Sequence, residues 1–141
     1  MLYKIIFFLL CAHSVSCTKP TPSRLDESGK QEGLKIEDLK EGEGRAAESN
    51  KSLKVHYTGK LPSGEVFDTS HTRNRAFEFT LGKGQVIDGW EIGIRGMKVG
   101  GKRVLTIPPH LAYGSRGVGN TIPPNTILTF EIELLWVEPS P

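Results

Sequence analysis

Little in this chain is built to break bonds. Aromatic and branched apolar residues stand beside turn formers in separated islands: Val55-His56-Tyr57-Thr58-Gly59, Gly64-Glu65-Val66-Phe67-Asp68, Val86-Ile87-Asp88-Gly89-Trp90, Leu111-Ala112-Tyr113-Gly114 and Ile122-Pro123-Pro124-Asn125. A small domain could gather them around an apolar pocket, and the chemistry open to such a pocket is desolvation and selective fit, not nucleophilic attack. Asp68 is the polar exception. It follows Val66 and Phe67 in an extended segment, and a carboxylate drawn inside with them needs partners. Other constellations fail on spacing. His56, His71 and His110 do not form a metal-ligand pattern, so neither metal nor other cofactor is expected. Ser70-His71 is an adjacent pair that says nothing about a triad, and Gly82-Lys83-Gly84 lacks the phosphate-loop pattern.

The elements that must position these residues are mostly strands. Leu128, Phe130, Ile132, Leu134 and Trp136 alternate with Thr129, Glu131, Glu133, Leu135 and Val137, which predicts a strand with one face in the core. Leu53, Val55 and Tyr57 alternate with Lys54, His56 and Thr58, and Phe77, Phe79 and Leu81 alternate with Glu78 and Thr80. Arg103 to Ile107 is a further short β-branched run, and Pro62-Ser63-Gly64 reads as a turn. One helix is expected, capped by Asp88, with Ile87, Trp90, Ile94 and Met97 near helical spacing before Gly96 and Gly100 interrupt it. Consecutive strands around one helix predict an α+β domain with an antiparallel sheet wrapped on that helix.

The chain has 141 residues, 37% of them hydrophobic, which fits one domain with a real core. Its formal charge of +2 comes from 18 basic and 16 acidic residues that are interspersed, so no basic stripe for nucleic acid is present. Residues 1–16 read as a signal peptide: Lys4 supplies the positive start, Ile5 to Ala12 the apolar run, and Ser14-Val15-Ser16 the small residues before Cys17. That run falls short of the ~20 apolar residues of a spanning helix. Removal of the leader takes Cys11 with it and leaves Cys17 as a lone thiol, for which a lipid anchor is the favoured explanation. Ser14-Val15-Ser16-Cys17 resembles a bacterial lipobox, with Ser14 where an aliphatic residue is common. Residues 17–33 then read as the anchor cysteine and a polar tether reaching on the order of 20 Å. Membrane contact is expected only through that lipid, and the location is exported, in the bacterial cell envelope or secreted.

Taken in order, the islands closely resemble the FKBP-type peptidyl-prolyl cis-trans isomerases, from about Leu34 to Val137. The resemblance implies one catalytic domain over residues 34–137, a short tail over 138–141, and a twisted, half-open antiparallel sheet around the short helix with a hydrophobic cavity between them. It also implies a reaction. An Xaa-Pro bond rotates against amide resonance worth a barrier of about 18–20 kcal/mol, and a pocket that fits the twisted amide better than either planar isomer lowers it.

Under this resemblance Tyr57, Phe67, Asp68, Trp90 and Tyr113 form the catalytic set. Trp90 is the floor beneath the proline ring, with Tyr57, Phe77, Val86, Ile87 and Phe130 as walls. Asp68 lies at the pocket edge near the Tyr57 hydroxyl and Arg73. The Ile87 N–H and the Tyr113 hydroxyl hold peptide carbonyls, and Gly114 to Thr121 forms a mobile loop over the mouth, with Ile122 packing on the substrate. Two roles for Asp68 stay open: an electrostatic influence on the twisting amide, or an ion pair that shapes the pocket. Without the family, each aromatic reads as ordinary core. Gln85, His110, Val118 and Thr121 depart from the residues common in eukaryotic members, which bears on affinity for macrolides such as rapamycin more than on turnover. The expected partners are proline-containing polypeptides, met by a monomer. The alternative from another class is a module that binds proline segments with little isomerase activity.

Overall fold

The computed structural model describes residues 33–141. The leader, Cys17 and nearly all of the tether lie outside the described residues. Along the described chain run β1 (Lys35–Lys40), β2 (Ser52–Lys60), β3 (Val66–Thr69), β4 (Phe77–Thr80), helix α1 (Asp88–Gly93), β5 (Lys102–Ile107) and β6 (Leu128–Val137). The two strands with the clearest alternation, β2 and β6, pair antiparallel at the centre of the sheet, where their apolar faces are needed. Beyond β6 lie β5 and then β1, all antiparallel. The opposite edge of β2 is shared, with β3 along its C-terminal end and β4 along its N-terminal end. The result is an open antiparallel sheet of six strands with one short helix, as expected.

The helix can approach the sheet because it presents glycine to it. A Cβ on Gly89 would collide with the Ile107 side chain, and one on Gly93 would meet Leu105 Cδ1 at 2.6 Å. Both strand partners are fully buried, so neither can give way. Between these glycines, Trp90 points into the concave face. The helix end is held by Arg103, whose Nη1 donates to the carbonyls of Gly93 at 2.8 Å and Arg95 at 3.4 Å. Its other nitrogens fork onto Asp38 at 2.6 and 3.2 Å, tying helix, β5 and β1 together.

Two expectations change in detail. Alternation predicts Trp136 on the core face of β6, but the side chain is 39% exposed, while Val137 is buried. The register against β2 shifts between Lys54 and Val55, leaving Leu135 as the extra residue of a β-bulge that reverses the alternation. On the outer face Trp136 lies beneath the Lys54 ammonium, 5.0 Å from the ring centroid. The cap of α1 is Ile87, held in extended backbone, and Asp88 opens the first turn without a capping bond. β1 has no clear alternation because KIEDLK is nearly all exposed at the sheet edge.

Candidate active site

A cavity of about 340 Å³ opens between the concave face and α1. Its floor is Trp90, which is 4% exposed. Tyr57, Phe77 and Phe130 meet the Trp90 ring edge-to-face, with centroids 5.1, 6.1 and 5.3 Å away, and Phe79 leans on it at 5.8 Å. Packing alone orients the indole, because its Nε1 has no hydrogen-bond partner among the described residues. Phe67 joins from β3, its ring 5.6 Å from that of Phe130. Both rings lean over Gly59, where a Cβ would stand 2.6 Å from Phe67 Cζ and 2.8 Å from Phe130 Cε1. Gly59→Ala is therefore expected to cost about 1–3 kcal/mol in chemical denaturation and to splay one wall of the cavity. Unchanged stability would mean that the two rings move aside freely.

The polar side of the cavity follows from a break in the edge strand. Between β3 and β4 the chain bulges through a short 3₁₀ turn at His71–Arg73, leaving Tyr57 without a ladder partner there. Ser70, fully buried, replaces the ladder. Its N–H donates to the Tyr57 carbonyl at 3.0 Å and its Oγ accepts the Tyr57 N–H at 2.9 Å. The same bulge carries Arg73 back over the cavity edge. Arg73 Nη1 donates to Asp68 Oδ1 at 3.0 Å and Nη2 to the Tyr57 hydroxyl at 2.8 Å, while that hydroxyl donates to Asp68 Oδ2 at 2.6 Å. The triangle is closed.

Its charges are correspondingly fixed. Burial alone would raise the Asp68 pKa, but the hydrogen bonds from Tyr57 and Arg73 and the guanidinium charge overcome it and hold the carboxyl below its ordinary value. Burial, and then the bond to Asp68, push the Tyr57 hydroxyl above its ordinary value. Tyr113, across the cavity, is raised by burial first and by the Asp68 charge second. The approach to α1 is pinned from behind: Glu91 accepts the N–H groups of Gly82 at 2.5 Å and Gly84 at 3.1 Å, and Gln85 Oε1 accepts the Thr80 N–H at 2.9 Å. Among the described residues, no group of three or more His, Cys, Asp or Glu is placed to hold a metal.

The comparisons with known proteins agree with this architecture. Residues 43–135 match the family described as FKBP-type peptidyl-prolyl cis-trans isomerase. The chain belongs to that family. An FK506-binding protein of Neisseria meningitidis is 54% identical over 105 residues, covering 74% of this chain and 96% of the relative. FK506-binding protein 1A of Neurospora crassa is 51% identical, covering 76% of this chain and 90% of its own length. The crystal structure of a peptidyl-prolyl cis-trans isomerase from Pseudomonas syringae superposes with a TM-score of 0.69 at 38% identity, covering 77% of each chain.

Within this FKBP-type isomerase the cavity is lined by Tyr57, Phe67, Asp68, Phe77, Val86, Ile87, Trp90, Tyr113 and Phe130, all expected from the sequence, together with Gln85. Arg73 reaches it through the triangle. Ile122 does not line it. That side chain is 4% exposed within the core, and its backbone closes a two-way bridge with Val118, so the Gly114–Thr121 segment folds on itself. Sequence reasoning missed Ser70 and Gly59, the residues that make the break and the ring overlap feasible.

Proposed function

We propose that this isomerase accelerates rotation about Xaa-Pro bonds of exported polypeptides by preferring the twisted amide in the cavity above Trp90. The observation that supports the reading best is the pairing of an apolar floor, Trp90 set among four aromatic rings, with one fixed carboxylate at its rim. The floor takes the proline ring and strips water from the amide. Two donors remain for the peptide carbonyls, the Ile87 N–H and the Tyr113 hydroxyl, neither of which has a partner among the described residues. The Tyr57 hydroxyl is fully engaged in the triangle, so its role is to position Asp68 and wall the pocket. Each ~1.4 kcal/mol of preference for the twisted amide gives about tenfold in rate.

The triangle also sets the pH dependence. Asp68 titrates below its ordinary 3.8, so the stability its charge contributes is present above that value and lost as pH falls through the lowered one. Tyr57 titrates above its ordinary 10.0, so its neutral form persists into alkali. Turnover is expected to be flat from about pH 5 to about pH 9. A bell centred near neutrality, measured by direct relaxation of a proline peptide, would point to a titrating group outside the triangle.

In the cell, residues 1–16 would direct export, Cys17 would carry a lipid, and the polar segment after it would hold the domain off the membrane. The test is catalytic relaxation of a cis-proline tetrapeptide by residues 18–141, with and without rapamycin. Acceleration abolished by rapamycin supports both enzyme and pocket, while no acceleration by the folded domain favours the binding module. Mass spectrometry of membrane-extracted protein tests the anchor, and an unmodified mature Cys17 would overturn it.

A further inference from the structure

On the far side of Phe77 a second hollow begins. It encloses about 560 Å³ and is lined by Lys54, Arg73, Arg75, Ala76, Phe77 and Glu78. Phe77 belongs to both hollows, lying 6.1 Å from Trp90 on one side and lining the basic concavity on the other. A peptide whose proline sits on Trp90 and whose chain leaves past Phe77 thus enters a space with three cations and one carboxylate. Their engagement is uneven. Arg73 is committed to Asp68 and Tyr57. Lys54, its ammonium 5.0 Å over the Trp136 ring, reaches Glu78 only at 3.8 Å, with both side chains about half exposed. Arg75 makes no hydrogen bond or ion pair among the described residues.

We propose that this hollow is a substrate subsite that reads an acidic side chain near the proline, on one side of it only. The inference rests on the isomerase reading of the neighbouring cavity and names the sequence context that cavity prefers. Lys54 and Arg75 supply the charge, and Phe77 fixes which side of the proline is read. The cations are exposed, so the effect is modest and sensitive to salt.

The test uses proline peptides carrying Glu or Gln at successive positions before and after the proline, followed by direct relaxation and, in parallel, by anisotropy of fluorescein-labelled copies. Glu is expected to exceed Gln in kcat/KM and in affinity by about three- to fivefold at low salt, on one side of the proline, and the difference should vanish near about 0.5 M salt. The double variant Lys54→Gln/Arg75→Gln should lose the preference while turning over an uncharged peptide within about twofold of the parent, and Arg75→Glu should favour Gln. Equal handling of Glu and Gln, or a Glu preference on both sides alike, would overturn the subsite. Failure to turn over any peptide would instead remove the isomerase reading, and the anisotropy series would still decide the subsite by the same criteria.

Discussion

Trp90→Ala is expected to lower folding stability by about 3–5 kcal/mol and to leave the folded remainder without measurable turnover. The indole is nearly sealed, stands against four aromatic rings, and closes the gap between α1 and the sheet. Neighbours cannot collapse into the vacated space, because Gly89 and Gly93 already bring the helix to contact distance of Ile107 and Leu105. For a domain of this size, the loss is a large share of a total near 5–15 kcal/mol, and a fall in Tm on the order of 15 °C or more should accompany it. Trp90→Phe separates the two effects. It keeps an aromatic floor and sacrifices no hydrogen bond, since the indole nitrogen has none among the described residues. That variant should remain folded and lose turnover by a smaller factor. Calorimetry and peptide relaxation on the pair check both parts. Unchanged stability in Trp90→Ala would remove the ring from the core, and full turnover by its folded fraction would remove it from the pocket floor.

The parts of this site visible in the sequence are those that depend on local period. Leu53, Val55 and Tyr57 fall on one face of β2, and Leu128, Phe130 and Ile132 on one face of β6, because alternation over a straight strand has a single solution. Alternation stops being informative at Leu134-Leu135-Trp136-Val137, where every residue is apolar and either phase fits. The bulge is therefore hidden, and with it the outward turn of Trp136. Gly59 gives no local signal, since what requires it are rings arriving from Phe67 and Phe130. Ser70 is similar: a small buried hydroxyl replaces a missing ladder partner, and the break it serves exists only after β3 and β4 have paired with β2. The Asp68–Arg73–Tyr57 contact came from family resemblance, and the position of Ile122 follows from the bridge to Val118 and from core burial, neither of which local period reveals.

Asp68→Asn is expected to reduce kcat/KM about tenfold, mostly through kcat, with the fold intact. In the planar amide, resonance places negative charge on the carbonyl oxygen, and twisting removes part of it. A carboxylate at the rim repels the planar form more than the twisted one, so its charge favours rotation. The amide introduced by Asp68→Asn would retain an acceptor for the Tyr57 hydroxyl but present no charge. The competing account, in which Asp68 only braces the pocket wall, makes a different prediction for Arg73. Bracing predicts that Arg73→Met and Asp68→Asn fall alike, because either opens the triangle. The electrostatic account predicts that Arg73→Met keeps most of its turnover, since the carboxylate still accepts the Tyr57 hydroxyl at the cavity edge. It predicts a signature as well. Arg73 supplies a hydrogen bond and a charge that lower the Asp68 pKa, so without it the carboxyl titrates higher and the acid limb of the pH profile moves toward neutrality. Peptide relaxation from about pH 3 to about pH 7 in both variants decides the matter. Equal losses with an unmoved acid limb would make Asp68 a brace and return the whole rate to the apolar floor.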